Sequence, residues 1–257
     1  MSIKIHKEEE FLKMKKAGSL AATLLLEIRD YLKPGVSSLD VDIFARKFIE
    51  KNKVKSACLG YKGSGEVPFP GAVCVSQNHI VCHGVPSDYV FKSGDIVSVD
   101  VTLIVDGYHG DTCHTFEIGN VNPILKKFVQ TAKAARDIGI QAVKDGAFLS
   151  DIGASIQEFI GKKHSIVREF CGHGIGTCFH QEPQVEHVGN YGEGPQLKEG
   201  MFLTVEPMIN MGKRHIRVLN DSWTVITKDF QPSAQFEHTI GIKKDGVEIF
   251  TYHKDLA

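Results

Sequence analysis

Two ten-residue segments of the sequence resemble each other, and each ends in a carboxylate. The first runs from Phe91 to Asp100 and the second from Leu197 to Glu206, 106 positions further along the chain. Each begins with an apolar residue, a lysine, a variable residue and a glycine, and continues as a run of strand-forming residues up to the acid. A carboxylate at the end of a buried strand is costly unless a partner neutralises it. The repeat therefore predicts that Asp100 and Glu206 face a common cation.

A second acid is expected beside Asp100. The strand that carries Asp100 runs into Asp106-Gly107, a dipeptide typical of two-residue hairpin turns. With that turn Thr102 opposes Asp111, so Asp111 and Asp100 are diagonal neighbours on one face, unless a bulge at Gly110 shifts the register. Two ionised carboxylates about 6–7 Å apart repel by roughly 2–3 kcal/mol at an effective dielectric of about 20. Either one of them is protonated or a cation lies between them.

A segment rich in glycine and histidine, residues 169–183, carries further candidate groups. It contains His173 and His180, and its glycines permit close approach of the backbone to a ligand. A phosphate-binding interpretation of its G-x-G pattern is weak, because no strand–glycine–helix context follows. The sequence also has no His-Glu-x-x-His helix typical of zinc proteases.

The second half supplies its own pair of acids. Glu237 lies in a segment with a strand pattern that echoes the sequence around Asp111, so we expect each half to contribute two strand carboxylates. Four carboxylates and a neutral imidazole carry a charge of about −4, which two divalent cations would neutralise. Oxygen-rich ligation with one histidine suits Mn, Fe, Co or Zn, and the sequence does not choose among them.

The elements that must position these groups follow the order helix, helix, strands, twice over. Apolar periodicity and capping residues predict four helices, over residues 8–32, 38–52, 123–145 and 150–163. Residues 33–51 and 144–162 also match one another, at an offset of 111 residues. This is close to the offset of 106 between the segments that end in Asp100 and Glu206. We therefore predict a single α+β catalytic domain over residues 1–257. Its duplicated halves, at about 7–119 and 123–243, would join their sheets and leave the helices outside.

Composition bounds the class of protein. Lys and Arg number 30 and Asp and Glu 31, which argues against a general polyanion-binding surface, so we expect no nucleic-acid specificity. No apolar run approaches the roughly 18–20 residues of a membrane span, and the first ten residues lack a signal-peptide core. The six cysteines form no CxxC pair and are expected to be reduced and mostly buried. These features predict a cytoplasmic protein that does not bind membranes.

Several short motifs resemble those of the type I methionine aminopeptidases, and the resemblance covers nearly the whole chain. They are Cys82-His83-Gly84-Val85-Pro86, Ser98-Val99-Asp100-Val101, Gly110-Asp111-Thr112, Gly172-His173-Gly174-Ile175-Gly176, Phe179-His180, Thr204-Val205-Glu206-Pro207, Asp221-Ser222-Trp223-Thr224 and Phe236-Glu237-His238-Thr239. The resemblance implies the pseudo-twofold "pita-bread" fold, with two α-α-β halves and antiparallel sheets around a central dinuclear metal site. It also implies a monomer that hydrolytically removes the initiator methionine from peptides and nascent chains at the ribosome exit, with a preference for a small second residue.

The resemblance assigns roles to individual residues. It implies two divalent cations held by Asp100, Asp111, His173, Glu206 and Glu237, with Asp111 and Glu237 bridging. Glu206 would also be the general base, His180 would steady the scissile carbonyl oxygen, and His83 would contact the peptide nitrogen side.

A pocket for the methionine side chain is also implied, lined by Cys58, Tyr61, Cys74, Phe179 and Trp223. An apolar, aromatic and sulfur-containing wall suits a polarizable thioether. For Phe179 and Trp223 taken alone, ordinary core packing is an equally good interpretation.

One departure from the family pattern concerns this pocket. The family usually has a short Gly-Tyr-x-Gly-aromatic-Pro loop, whereas residues 60–71 are longer here and carry Phe69-Pro70 instead. Which residue closes that side of the pocket is open. Two other functions also remain open. The first is an X-Pro dipeptidase, but members of that family carry a sizeable N-terminal domain, and only about 80 residues precede His83 here. The second is a non-catalytic binding module, but such proteins have typically lost metal ligands, and all five are present here.

Overall fold

The computed structural model describes residues 3–63 and 65–256, which form four α-helices and fifteen β-strands. The helices are α1 (Glu8–Tyr31), α2 (Ser38–Asn52), α3 (Pro123–Gln141) and α4 (Ser150–Ile160). The strands are β1 (Lys55–Ser56), β2 (Cys74–Gln77), β3 (Ile80–Cys82), β4 (Ile96–Val105), β5 (Tyr108–Glu117), β6 (Ser165–Ile166), β7 (Gly172–Gly174), β8 (Gln181–Val185), β9 (Phe202–Val205), β10 (Met208–Asn210), β11 (Ile216–Val218), β12 (Val225–Thr227), β13 (Ser233–Gln235), β14 (His238–Lys243) and β15 (Gly246–Ile249).

Local sequence explains where the helices begin and end. Helix α2 starts with a reciprocal cap, in which the Ser37 hydroxyl accepts from the Asp40 N–H at 3.1 Å and the Asp40 carboxylate accepts from the Ser37 N–H at 2.9 Å. Two predicted helix ends were wrong, because α3 stops at Gln141 and α4 at Ile160. Gly161 follows α4 with a φ of 56° and a ψ of −128°, a backbone conformation that ends the helix and that glycine adopts readily.

The β4–β5 hairpin has the predicted register. Thr102 opposes Asp111 and Asp100 opposes Cys113 without interruption by a bulge. The turn residues Asp106 and Gly107 have φ values of 50° and 83°, as a two-residue hairpin turn of this kind requires. Asp100 and Asp111 consequently lie on the same face of the hairpin.

Gly110 serves helix packing rather than a bulge. A Cβ at this position would lie 2.3 Å from the carbonyl carbon of Ala17, so only glycine allows α1 to approach β5 this closely.

Four antiparallel sheets are described. Strand β4 pairs with β5 on one edge and with β1 and β2 on the other. The largest sheet has the order β15-β14-β9-β7-β8, and two three-stranded sheets have the orders β13-β10-β6 and β11-β12-β3. Hydrogen bonds join the first hairpin to the second half, since the Thr239 hydroxyl donates to the Asp111 carbonyl at 2.7 Å and the Glu237 N–H to the Cys113 carbonyl at 2.9 Å. The acids of both halves are thereby brought together.

The apolar core surrounds these sheets. One buried cluster joins α1 and α2 to the β4–β5 hairpin, and a second joins α3 and α4 to β9 and β14. The sheets therefore lie between two pairs of helices, as the predicted α+β architecture requires. No helix among the described residues is both long and apolar enough to cross a membrane.

The strand positions predicted for the second pair of acids need correction. Glu206 follows the last residue of β9, and Glu237 lies between β13 and β14 rather than inside a strand. The reason is a change of partner, because β13 pairs with β10 whereas β14 pairs with β9. Phe236 and Glu237 bridge that change, and the Glu237 side chain stays buried with 1% of the residue exposed.

Candidate active site

Three predicted metal ligands meet in the interior. Ligand atoms of Asp111, His173 and Glu237 lie within 4.8 Å of one another. His173 Nε2 is 3.7 Å from Asp111 Oδ2 and 3.6 Å from Glu206 Oε1. Because the Nδ1–H of His173 donates to the Gly174 carbonyl at 3.0 Å, Nε2 retains its lone pair, which is the state that binds a metal ion.

In the described part of the chain, the basic side chain that pairs with these carboxyl groups is His173, and burial lowers the pKa of this imidazole to about 3, so it is neutral. Burial raises the pKa of Asp100 to about 7 and that of Glu206 to about 8, and it raises the pKa values of Asp111 and Glu237 well above their usual range. Among the described residues, Asp100 Oδ1 and Glu237 Oε1 are buried without a hydrogen-bond partner. Oxygens in this situation are usually satisfied by an ion or water, so the donor set fits divalent cations.

Hydrogen bonds from neighbouring side chains orient two of the predicted ligands, Asp111 and Glu206. The Thr102 hydroxyl donates to Asp111 Oδ1 at 2.7 Å, and the Thr204 hydroxyl donates to Glu206 Oε1 at 2.8 Å. Gln235 Nε2 approaches Glu206 Oε2 at 3.3 Å. Sequence reasoning missed these supporting residues, although the hairpin register already placed Thr102 opposite Asp111.

A buried histidine also supports the backbone of this centre. His187 Nε2 accepts from the Glu206 N–H at 3.2 Å, and 1% of His187 is exposed. No feature of the sequence indicated this contact.

The two predicted substrate-facing histidines line the same cleft as the acids. His83 has a φ of 53°, a conformation uncommon for residues other than glycine and often found at functional sites. The next residue must be glycine, because a Cβ on Gly84 would lie 2.2 Å from the Val75 carbonyl oxygen. The ring of His180 lies 4.3 Å from that of His173, measured between centroids, and its Nδ1 is 2.8 Å from the Tyr61 hydroxyl.

Both histidines are neutral near pH 7. Burial lowers the pKa of His83 to about 4. Burial by the cleft wall, together with His83 and His109, also holds the pKa of His180 below its usual value.

An apolar pocket adjoins these groups within a cleft of about 660 Å³. All five residues predicted for the methionine pocket line this cleft: Cys58, Tyr61, Cys74, Phe179 and Trp223. Phe69, with 2% exposed, packs edge-on against Trp223 at 5.4 Å between ring centroids and belongs to the same apolar cluster as Cys58 and Cys74. Phe69 therefore contributes to the apolar wall on the side of the pocket that the sequence left open. Glu169 and Phe170 also line the cleft and were not predicted to do so.

The longer loop before Cys74 keeps its ends together. The Gly60 N–H donates to the Phe69 carbonyl and the Phe69 N–H to the Tyr61 carbonyl, both at 2.8 Å. Trp223 Nε1 also donates to the Val67 carbonyl at 3.0 Å. These hydrogen bonds hold Gly60 and Tyr61 beside Phe69 at the two ends of the loop, and they keep the aromatic side chains against the pocket.

The cleft brings together acids, histidines and an apolar pocket, a combination that suits a metallopeptidase. The sequence profile of metallopeptidase family M24 matches residues 12–244, and the chain therefore belongs to this family.

Several of the proteins most similar in sequence are methionine aminopeptidases. One from Rickettsia prowazekii is 48% identical over 254 residues, which cover 98% of this chain and 96% of the relative. The methionine aminopeptidase of Escherichia coli strain K12 is 45% identical over 258 residues, covering 99% and 96%. A crystal structure of the Rickettsia prowazekii enzyme superposes with a TM-score of 0.94 at 47% identity, covering 98% of this chain and 100% of that one. These matches confirm the resemblance to methionine aminopeptidases and the pita-bread fold.

A prolidase from Pyrococcus furiosus shares the fold at greater distance. It superposes with a TM-score of 0.75 at 20% identity, covering 97% of this chain but 66% of the prolidase. This likeness concerns the fold alone.

Proposed function

We propose that the protein is a metal-dependent aminopeptidase that hydrolytically removes the N-terminal methionine from peptides and nascent proteins, preferring a small second residue. One observation carries the proposal: a buried cluster of carboxylates and an imidazole adjoins an aromatic and sulfur-lined pocket in a single cleft. The similarity to methionine aminopeptidases over nearly the full length of the chain supports the same reaction.

The proposed metal ligands are Asp100, Asp111, His173, Glu206 and Glu237, which would hold two divalent cations. The free Nε2 of His173 and the unsatisfied oxygens of Asp100 and Glu237 support this set. A charge of about −4 on four carboxylates favours two cations over one. Co, Mn, Fe and Zn all suit such oxygen-rich ligation with one imidazole.

In the proposed reaction, Glu206, His180 and His83 have different catalytic roles. The cations, when bound, supply Lewis acidity that makes water nucleophilic near neutral pH. Glu206, oriented by Thr204 and Gln235, would accept the proton of the attacking water as general base. His180 would donate a hydrogen bond to the carbonyl oxygen as that atom gains negative charge, and His83 would contact the peptide nitrogen side.

The pocket would select the side chain of the first residue. Cys58, Cys74 and Phe69 form a buried apolar cluster, with Trp223 packed against it. An unbranched thioether can fill an irregular apolar space of this kind and gains favourable contacts with aromatic rings.

We further propose that residues 1–257 form a single catalytic domain with duplicated halves at about 7–119 and 123–243. The presence of one helix pair and one main apolar cluster on each side of the acids supports this division. We propose that the protein acts as a cytoplasmic monomer on nascent chains at the ribosome exit, without nucleic-acid specificity.

The test is metal analysis combined with a peptide assay. The protein loaded with Mn, Fe or Co should release free methionine from a Met-Ala-Ser peptide. Absence of release with all three metals would refute the function, and preferential cleavage of Xaa-Pro peptides would indicate a dipeptidase instead.

A substitution tests the base. Glu206→Gln should abolish turnover while circular dichroism shows an intact fold, whereas Glu248→Gln, which removes an ion pair with Lys15 on the surface, should retain turnover. Unchanged activity in Glu206→Gln would refute its role.

A further inference from the structure

We propose that Tyr61 is a positioning residue that fixes the tautomer of His180 by donating its hydroxyl proton to Nδ1, so that Nε2 carries the hydrogen offered to the substrate. The inference rests on the proposed role of His180 as a donor to the carbonyl oxygen. The Tyr61 hydroxyl then has a role of its own, in addition to the role of the Tyr61 ring as part of the pocket wall.

The contact between the two side chains is short and connects distant parts of the chain. Tyr61 Oη and His180 Nδ1 are 2.8 Å apart, although 119 residues separate them in sequence. With Nδ1 engaged in this way, Nε2 is the ring nitrogen left for a ligand. A neutral imidazole has one donor and one acceptor nitrogen, so the partner of one nitrogen decides the state of the other.

The direction of the hydrogen bond follows from the chemistry of the two groups. Burial, with a contribution from Cys58, raises the pKa of Tyr61 above its usual value, so the phenol keeps its proton. Within residues 3–63 and 65–256, this hydroxyl makes no other hydrogen bond. A neutral His180 that donates from Nε2, as its proposed role requires, has an unprotonated Nδ1, and the Tyr61 hydroxyl at 2.8 Å is a donor for that nitrogen. The arrangement that uses the phenol proton makes Nδ1 the acceptor and leaves the hydrogen on Nε2.

The backbone around Tyr61 holds the hydroxyl in place. The Tyr61 N–H donates to the Cys58 carbonyl at 2.9 Å, and the Tyr61 carbonyl accepts from the Phe69 N–H at 2.8 Å. Its ring packs beside Phe179 at 5.1 Å between centroids. These contacts involve the backbone and the ring, so Tyr61→Phe should keep the pocket wall and remove the hydroxyl alone.

The direct test reads the tautomer by NMR. Zinc-loaded protein labelled with ¹⁵N-histidine avoids paramagnetic broadening, and His180→Asn assigns the resonances of His180. We expect an unprotonated Nδ1 and a protonated Nε2 in the wild type, and a mixture of tautomers in Tyr61→Phe. A proton on Nδ1 in the wild type, or an unchanged His180 spectrum in Tyr61→Phe, would overturn the assignment.

Kinetics on a Met-Ala-Ser peptide separates positioning from pocket binding. Tyr61→Phe should lower kcat about 3- to 10-fold, the range expected for one hydrogen bond, and change KM less than about twofold. Tyr191→Phe, which removes an exposed hydroxyl bonded to Glu158, is the matched control and should match the wild type. A raised KM with unchanged kcat would show that Tyr61 is only a pocket wall and overturn the proposal.

The NMR result does not depend on turnover. An inactive protein that showed the expected tautomer would refute the proposed reaction but support the assigned hydrogen bond.

Discussion

Replacing Thr102 by valine should weaken metal binding without disturbing the fold. The Thr102 hydroxyl donates to Asp111 Oδ1 at 2.7 Å, and both side chains are buried. The hydrogen bond favours the ionised carboxylate and fixes its orientation, which are two conditions for binding a cation. Valine has nearly the same shape as threonine, so it removes the donor with little change in packing.

The expected magnitude follows from the charge on the acceptor. A hydrogen bond to a charged group contributes about 1.5–3 kcal/mol. At about 1.4 kcal/mol per tenfold change in equilibrium constant, this corresponds to a metal dissociation constant roughly 10- to 100-fold higher in Thr102→Val. The measured effect of removing such outer contacts in other metal sites falls in the same range.

Isothermal titration of the metal-free protein with Mn²⁺ or Co²⁺ measures this change. Thr102→Ser keeps the donor and should bind metal nearly as well as the wild type. Thr227→Val removes a buried hydroxyl that donates to the Gln231 carbonyl, and should leave metal affinity unchanged. A dissociation constant for Thr102→Val within twofold of the wild type would refute the reasoning that this hydroxyl supports the metal centre.

Three further outcomes are expected. Phe69→Ala should cost about 3–5 kcal/mol of unfolding free energy, measured by urea denaturation, and raise KM for methionyl peptides, because it opens a packed pocket wall. Gly84→Ala should lower kcat/KM at least tenfold in the peptide assay, because its Cβ would displace the Val75 carbonyl beside His83. Burial opposes ionisation of Glu10, but hydrogen bonds from the Lys7 N–H and neighbouring side chains lower its pKa from 4.5 to about 2. Glu10→Gln should therefore reduce stability above about pH 4.5, and urea titrations should show the deficit disappear as the pH falls toward 2.

Much of the first half of the site follows from local rules. The Asp106-Gly107 turn and the two-residue period of a strand are enough to place Thr102 opposite Asp111 and Asp100 on the same face, and the structure confirms this register. Such predictions succeed because turn geometry and side-chain alternation act over only a few residues.

The second half of the site depends on the arrangement of the sheets. The sequence predicted Glu237 inside a strand. In the structure it lies between β13, which pairs with β10, and β14, which pairs with β9. A change of pairing partner is decided by the packing of whole sheets, which periodicity in one segment does not encode. The same holds for Phe69, whose place in the pocket depends on the two backbone hydrogen bonds that join it to Gly60 and Tyr61.

The sequence by itself predicted which acids and histidines would be candidate metal ligands, and it determined the order of the elements and the placement of the first pair of acids on one face. Only the tertiary structure decided how Glu206 and Glu237 reach that pair, that Phe69 joins the apolar wall, and that Tyr61 contacts His180 across 119 residues. The physical reason is the range of the interactions: turn and strand rules act between near neighbours, whereas these contacts exist only once the two halves have packed together.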